Sequence, residues 1–293
     1  MLRITAITAF AAILVLATLP ARGAEEWRYG LSADIVRDNN ATRGLYDGKK
    51  ADSIATIEGS ATRSWLLSPD SGLLVRGAAR YSHFMDIEDI SNLALIGRTA
   101  LRFQPTRGFS APWYEVAGQI QFLQHADSDL RDGAIATLEA SAGSHITDRL
   151  QLSAGLGFDK RGGGGGTAGL YDLSNKRIFA AADLRIGVNN MLYARLMRQT
   201  GDQVFSSGST SGLSAVWEDD PALRAPLGLT VANAYRIDAT TLAWEFGLNY
   251  PLGPEQALDF SVARYSSEAE EGPATGNKYR STQLRATYLY RFR

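Results

Sequence analysis

The chain has 293 residues, enough for one large β domain or two smaller domains. Its 30 Lys and Arg residues balance 31 Asp and Glu residues, so charge gives no reason to expect a nucleic-acid partner. A hydrophobic fraction of 45% argues against a helical membrane protein, and the lack of cysteine excludes disulfides, Cys-type metal sites and thiol catalysis.

The first residues have the pattern of a secretory signal peptide. A short positive start, MLR, precedes the apolar run ITAITAFAAILVLATL, and Ala21 and Gly23 supply the small residues of a cleavage site. We therefore predict cleavage after Gly23, with residues 1–23 as the signal peptide and residues 24–293 as the mature domain. The alternative is an uncleaved amphipathic or anchoring helix. In either case the chain is expected to be exported.

Beyond residue 23 the sequence alternates with a period of two, as strands do. In WRYGLSADIV, for example, Trp27, Tyr29 and Leu31 share one face, and Arg28 and Ser32 share the other. Twelve such segments are predicted, near 27–37, 53–66, 73–84, 92–104, 113–125, 133–146, 150–160, 176–188, 191–200, 239–250, 257–266 and 278–292. Most have ten or more residues, and a tilted strand needs roughly 9–11 to cross a bilayer. The lengths favour membrane strands.

The connections alternate between short turns and long polar loops. LSPDSG, PTRGFSAP, TDR, NN and PLGPEQ are short and rich in turn residues, whereas the segment 201–238 and SSEAEEGPATGN are long. Short turns at one end and long loops at the other are the layout of outer-membrane barrels, and closure removes sheet edges that lipid does not tolerate. The predicted fold is all-β, an antiparallel up-and-down transmembrane β-barrel of about twelve strands with short periplasmic turns and long extracellular loops.

Over nearly its whole mature length the chain resembles Gram-negative, porin-like outer-membrane β-barrels, although no subfamily is identified. Such proteins end in an aromatic-rich strand that the barrel-assembly machinery reads, and Tyr288, Tyr290 and Phe292 in STQLRATYLYRFR match this assembly signal. The family usually ends on the aromatic residue itself, whereas Arg293 follows here. The resemblance implies an outer-membrane location, with the assembly machinery, outer-membrane lipid and lipopolysaccharide as partners.

Aromatic residues are expected in two girdles at the membrane interfaces. The girdle at the short-turn end is predicted to contain Trp27, Trp65, Phe103, Tyr114, Tyr250 and Phe292, and the one at the long-loop end Tyr81, Phe122, Phe158 and Tyr265. The alternative, scattered aromatics in a soluble β-sandwich, would have shorter strands.

The face opposite the apolar one carries charges, and charges are costly on a lipid face, so their phase identifies the lumen. The predicted pore-lining residues are Arg76, Arg80, Arg98, Arg102, Glu115, Gln119, Glu139, Asp183, Arg185, Arg195, Glu245 and Arg285. If each loop folds at its midpoint, Arg80 falls beside Arg98 and Arg76 beside Arg102, diagonally across one strand pair. Around the next turn Arg102 is expected to face Glu115, and Gln119 to lie between Arg98 and Glu139.

Nothing in the sequence predicts an enzyme, a cofactor or a metal site. His83, His125 and His145 are expected at the surface, without metal spacing, HExxH or GxSxG. The glycine run that starts at Gly162 lacks the Lys-Ser/Thr of a phosphate loop and predicts an external loop. In DSDLRDG, Arg131 takes the place of a calcium ligand. Together with DIED and WEDD this segment is interpreted as solvated loop acids, with loose divalent-ion binding as the alternative.

Two interpretations of the lumen stay open. Its charges line a narrow water-filled path that favours anionic or zwitterionic solutes, or they pair into a plug that holds the barrel rigid. The segment 201–238, folded inward as a constriction, would favour a small porin-like channel for small polar or anionic solutes. A lid, a partner-binding loop and an extra hairpin are the other roles open to this segment. The alternative is a non-conducting barrel that serves as an anchor or accessory in envelope assembly or in polysaccharide or protein secretion. An outer-membrane lipid-modifying enzyme is less favoured.

Overall fold

Twelve strands close into an antiparallel barrel in the computed structural model, which describes residues 26–45, 48–163, 169–207, 214, 216–270 and 274–292. The described residues form these twelve strands and one further short strand, β10: β1 (Arg28–Asp38), β2 (Asp52–Ser68), β3 (Ser71–Phe84), β4 (Asn92–Phe103), β5 (Trp113–His125), β6 (Gly133–His145), β7 (Leu150–Gly162), β8 (Ser174–Ile186), β9 (Asn190–Ser207), β10 (Val216–Asp219), β11 (Asn233–Pro251), β12 (Gln256–Ala269) and β13 (Lys278–Arg291). Each barrel strand pairs with its neighbours, and β13 pairs with β1 to close the ring. The predicted fold class is confirmed.

The short strand β10 pairs only with β11 and stays outside the ring, in which β9 pairs directly with β11. In the described parts of the long connections lie one α-helix, α1 (Pro221–Leu227), and two 3-10 helices, Glu88–Ile90 and Asp129–Arg131. None of the helices in the described residues is long and apolar enough to cross a membrane. The predicted signal peptide, residues 1–23, lies outside the described residues.

The alternation of the sequence explains the two faces of the sheet. Leu31, Leu138, Leu156 and Ile178 project from the outer face and are exposed, as lipid-facing side chains of a barrel are. The connections after β2, β4, β6, β8 and β11 are at the end where β1 begins and β13 ends, and the longer connections are at the opposite end.

Two strands extend well beyond their predicted ends. The segments 201–207 and 233–238 were expected in a loop, but they pair with each other as the upper ends of β9 and β11. The sequence of this extension shows no apolar–polar alternation because both of its faces are buried. Val204 lies on one face and Phe205 on the other. Phe205 packs with Leu45 and Tyr279, whereas Val204 packs with Tyr171.

The pairing of β3 with β4 corrects the predicted register. Arg76 lies directly opposite Arg98, whereas Arg80 faces Ala94 and Arg102 faces Gly72. The midpoint assumption was wrong because the connection is asymmetric: the 3-10 helix Glu88–Ile90 occupies its second half.

The next registers are closer to prediction. Arg102 faces Glu115 and Arg98 faces Gln119, as expected. The other neighbour of Gln119 is Thr137, however, and Glu139 lies two residues further along β6, opposite Ala117.

One aromatic residue of the predicted long-loop girdle points the other way. Tyr265 pairs with Ala243 and Ser281, which share the phase of the inner face, and it packs beside the buried cluster around Tyr279. Phe122, in contrast, pairs with Leu95 on the outer face. The girdle prediction was therefore wrong for Tyr265 and has the correct phase for Phe122.

The final strand gives a first testable prediction. The Phe292 amide donates to the Tyr29 carbonyl at 3.0 Å, and its exposed ring packs on Tyr290 at a centroid distance of 4.8 Å. The partner expected from the sequence, Trp27, lies beside Arg63 instead. Since an aromatic residue buried in an interface is worth about 1–3 kcal/mol, we expect Phe292→Ser to lower the yield of folded barrel.

The measurement is the folded band of unheated gel samples from the membrane fraction. Deletion of Arg293, which lies outside the described residues, is the matched control and should leave the folded yield unchanged or raise it. Loss of assembly on deletion, with normal assembly of Phe292→Ser, would show that the aromatic ring is not the element recognised.

Candidate functional site

The registers place all twelve predicted pore-lining residues on one face of the sheet, opposite the exposed aliphatic face. Their partners on neighbouring strands connect them into one continuous inner surface, and their role in conduction is a prediction. The lumen that they surround is the candidate functional site.

Ion pairs on the inner face of the barrel connect side chains of adjacent strands. Arg76 of β3 pairs with Glu58 of β2, and Arg98 of β4 pairs with Glu115 of β5 at 3.0 Å. Arg195 of β9 lies 3.6 Å from Glu245 of the adjacent β11. Each of these pairs joins neighbouring strands, so it lies along the circumference and leaves the middle of the lumen free.

Arg177 makes the most extensive of these networks. From β8 it reaches Glu139 of β6 at 2.9 Å and also pairs with Asp159 of β7. Thr137 donates a hydrogen bond to the second oxygen of Asp159 at 2.6 Å. Three strands are thus linked by one guanidinium group that lies flat on the wall.

Glycines explain why large inward side chains can lie flat. Trp113, Phe179, Arg177 and Tyr193 each face a glycine of the neighbouring strand in the register: Gly143, Gly155, Gly157 and Gly247 respectively. A β-carbon at any of these glycines would overlap the side chain that covers it. We call these four pairs the glycine cradles. They keep three rings and a guanidinium group out of the lumen.

The lumen has two walls of opposite net charge. The arginine wall, the inner face of β13 and β1–β4, carries Arg28, Arg76, Arg80, Arg98, Arg102, Arg285 and Arg291 against Asp34, Asp38, Asp52 and Glu58. The acidic wall, the inner face of β5–β9, β11 and β12, carries Glu115, Glu139, Asp159, Asp183, Glu245 and Asp259 against Arg161, Arg177, Arg185 and Arg195. A solute in the lumen therefore experiences a transverse field.

Arg80 and Arg102 are among the arginines of the arginine wall that form no ion pair with another described residue. Arg80 acts electrostatically on Asp34, together with Arg285 from the other side. Arg102 stacks its guanidinium carbon 4.1 Å from the centre of the Trp113 ring. Both remain available to an anion that enters the lumen.

The lumen contains unfilled space at several depths. Near the short turns a cavity of about 610 Å³ is lined by Ser32 and Glu58 on one side and by Asn249 of β11 on another. At mid-depth a cavity of about 440 Å³ lies between Glu115 and Tyr265. A third, of about 510 Å³, lies below the long loops.

The connection between β9 and β11 crosses the mouth at the long-loop end. Its helix α1 packs against the 3-10 helix Glu88–Ile90, and this connection between β3 and β4 lies six strands away in the ring of twelve. The contact is a buried cluster of Ile87, Ile90, Ala222, Leu223 and Ala232. The described part of 201–238 is therefore a cap across the mouth, and not the constriction inside the barrel that was predicted.

A fully buried carboxylate holds this cap. Asp220 has no exposed side-chain surface and accepts from Arg131 Nε at 2.9 Å and Nη2 at 2.6 Å. It also accepts from the Tyr171 hydroxyl at 3.3 Å and from the Ala222 amide, which caps α1. Asp220, Arg131 and Tyr171 come from three different long connections and hold these connections together. We call these three side chains the latch.

Burial and charge set the protonation of the latch. Burial raises the pKa of Tyr171 to about 12, so the phenol stays protonated and can donate. Burial alone would lower the pKa of Arg131, but Tyr171 and Asp220 outweigh it and raise the pKa. A charged guanidinium therefore faces the Asp220 carboxylate.

The connection between β1 and β2 reinforces the cap. The Leu45 amide donates to the Ser206 carbonyl at 2.8 Å, and Ser206 Oγ donates to the Thr42 carbonyl at 2.9 Å. Buried Asn40 also spans this connection, donating to the carbonyls of Gly44 and Arg280 at 3.1 Å each.

The acid-rich loops differ from the sequence interpretation. Asp220 of WEDD is buried and ion-paired, and Asp219 pairs with Arg224, so neither is a solvated loop acid. Arg131, which excluded a calcium loop, is the partner of Asp220. The described residues contain no group of three or more His, Cys, Asp or Glu placed to hold a metal.

The three histidines lie apart in different environments. His83 Nδ1 is 3.4 Å from Ser91 Oγ, His125 Nδ1 is 3.3 Å from Asp132, and the His145 ring packs on Phe109. Of the predicted glycine loop, residues 164–166 lie outside the described residues.

Sequence reasoning missed the latch and the glycine cradles. The latch has no local signature, because Arg131 and Asp220 are 89 residues apart. The cradles had one: Gly155 and Gly157 alternate within β7 on the inner face, and glycine inside a strand marks the close approach of another group.

Comparison with known proteins supports the barrel fold and identifies neither a family nor a function. No protein-family model matches the sequence, and no curated protein matches it. Among solved structures, the COG4313 outer membrane channel from Pseudomonas putida F1 has a TM-score of 0.56 at 11% identity, covering 94% of this chain and 97% of that one.

Two further solved structures are less similar. The CymD monoaromatic hydrocarbon channel has a TM-score of 0.48 at 10% identity, covering 92% of this chain and 89% of that chain. The NanC porin has a TM-score of 0.48 at 8% identity, covering 89% and 98%. At such low identity the likeness to the Pseudomonas channel concerns the fold, and the chain has the fold of an outer-membrane β-barrel.

Proposed function

We propose that the chain is an outer-membrane channel for small polar or anionic solutes, with its long loops outside the cell. The observation that carries the proposal is the set of glycine cradles. Small inward positions that accommodate the rings of Trp113, Phe179 and Tyr193 favour a lumen that solutes can enter. A plug would instead need side chains that project across it.

The charge arrangement supports the choice of solute. Arg80 and Arg102 on the arginine wall are free of ion pairs among the described residues and offer donors to an anionic group, while the acidic wall lies opposite. Guanidinium groups bind carboxylates and phosphates well. Small anions and polar solutes with separated charges therefore fit this lumen, and no enzymatic role is proposed.

The cap favours a second candidate, a barrel that does not conduct at rest and serves as an anchor or accessory in the envelope. Conductance of the purified protein in planar bilayers distinguishes the two. Discrete single-channel steps would support the channel, whereas silence from correctly folded wild-type protein, even after the cap is released, would favour the non-conducting barrel.

The glycine cradles give a direct test of the lumen. In Gly247→Ala the new methyl group overlaps the Tyr193 ring, so the ring must move inward and lose its hydrogen bond to Asp259, now 2.8 Å long. Overpacking of this kind costs about 1–3 kcal/mol of folding free energy. We expect a folded barrel of lower single-channel conductance.

Gly118→Ala is the matched control, because Gly118 is also within a strand but has open space around its β-carbon position. It should conduct like the wild type. Equal conductance of Gly247→Ala and Gly118→Ala would contradict the role of the cradles.

A further inference from the structure

Three basic side chains project from the lipid-facing side of the barrel. Lys160 of β7, Lys176 of β8 and Arg198 of β9 share the phase of the exposed Leu156 and Ile178, and all three are exposed. None forms an ion pair with another described residue. We call them the outer basic cluster. Unpaired cations on this face need an explanation, because lysine and arginine are costly where they meet lipid chains.

The three residues are diagonal neighbours on consecutive strands. Ser174 faces Lys160, and Lys176 lies two positions along the same strand. Thr200 faces Lys176, and Arg198 again lies two positions along. Side chains in such diagonal positions are about 7–8 Å apart, so the cluster forms one continuous row across three strands.

The height of the row places it at the edge of the membrane. Below Lys176, towards the short turns, the outward positions of β8 are apolar down to Leu184. Eight residues of a strand tilted by about 40° rise by about 20 Å. The apolar band of such barrels is about 25 Å tall, so the row lies near its upper edge, on the long-loop side.

A groove lies directly beneath these cations. It has a volume of about 560 Å³ and is lined by Val116, Leu138, Leu156, Phe158 and Ile178, with Lys176 and Arg198 at its border. The lining is mostly aliphatic and aromatic, with Glu139, Arg177 and Thr200 as further lining residues, so it suits hydrocarbon chains, whereas the cations suit an anionic headgroup. Both parts of a charged lipid are therefore matched by one surface.

The cluster is confined to one sector of the barrel. At a similar height the outward positions of β3–β6 include Tyr81, Leu93, Phe122 and Ala136, none of which is basic. Outward basic residues also occur at Arg37 on β1 and Arg264 on β12. What distinguishes the outer basic cluster is that its cations lie on consecutive strands above one apolar groove, as a site for one molecule requires.

We propose that the outer basic cluster and its groove bind one lipopolysaccharide molecule, through the phosphates of its lipid anchor. The inference requires that the barrel lies in the outer membrane with its long loops outside, and it does not depend on conduction. That anchor carries two phosphates at the two ends of a disaccharide and several acyl chains. A row of three cations above a broad apolar groove is complementary to this chemistry, more than to a phospholipid with a single phosphate.

The test uses the full-length folded protein in detergent and native mass spectrometry with the purified bisphosphorylated lipid anchor. We expect the wild-type barrel to bind one molecule and Lys176→Gln/Arg198→Gln to bind it about thirty-fold more weakly. Each basic residue strengthens binding to an anionic lipid about five-fold, and two are removed. The matched control is Arg37→Gln/Arg264→Gln. It removes the same charge from exposed outward positions of β1 and β12, and should bind like the wild type.

Three outcomes would overturn the proposal. Equal weakening of both double variants would show a diffuse charge effect, and unchanged binding by Lys176→Gln/Arg198→Gln would exclude the cluster. Equal binding of the dephosphorylated anchor or of phosphatidylglycerol would exclude recognition of the two phosphates. The heat-dependent gel shift confirms in each case that the variant is folded.

Discussion

Replacing Asp220 with alanine is expected to open the outer mouth and to give the largest gain in conductance of any single substitution. The change leaves the guanidinium of Arg131, only 17% exposed, without its carboxylate and removes the cap of helix α1. Breaking a buried pair by removing one partner typically costs about 3–5 kcal/mol. The balance between closed and open cap should then shift at least about a hundredfold.

The barrel itself should survive, because its strand ladders do not depend on the latch. Single-channel recording and limited proteolysis of the loops are the measurements, and both signals should rise together. Asp220→Asn keeps an oxygen for the Arg131 and Ala222 donors, so it should produce a smaller effect and isolate the contribution of charge.

Glu268→Ala is the matched control for Asp220→Ala. Glu268 pairs with Lys278 at 2.9 Å on the rim, but both side chains are about half exposed, and such pairs contribute only about 0–1 kcal/mol. Its conductance should equal that of the wild type. If the loops of Asp220→Ala became protease-sensitive while its conductance stayed unchanged, the cap would not limit conduction.

Replacing Arg76, Arg80, Arg98 and Arg102 with glutamine is expected to change the ion selectivity of the channel from anions towards cations. The arginine wall then keeps Arg28, Arg285 and Arg291 against four carboxylates, so its net charge changes sign. Selectivity in a narrow lumen follows the charge of its lining. The reversal potential in a salt gradient across a planar bilayer is the measurement.

Two further variants make this result interpretable. Arg80→Gln/Arg102→Gln leaves the pairs of Arg76 and Arg98 with their carboxylates intact, so it should fold normally and shift selectivity partway. Arg37→Gln/Arg264→Gln removes two charges from the outer face and should not alter selectivity. An unchanged reversal potential in the folded fourfold variant would exclude the arginine wall as the selectivity filter.

The sequence by itself determined the barrel, the number of its strands and the phase of each. Side-chain alternation is a local property with a period of two, and bilayer thickness sets a strand length that TTLAWEFGLNY already satisfies. For the same reason all twelve predicted pore-lining residues, from Arg76 to Arg285, share one face. The assignment of Tyr265 to the outer girdle was wrong because an aromatic residue is compatible with either face.

Only the tertiary structure decided which of these residues meet and whether the mouth is covered. Arg76 faces Arg98 because the asymmetric turn at Glu88–Ile90 shifts the pairing of β3 with β4. The cap depends on the contact between Arg131 and Asp220, which joins distant loops and leaves no periodic signal in either. Local patterns define strands and faces, whereas registers and loop contacts follow from the packing of segments that are far apart in sequence.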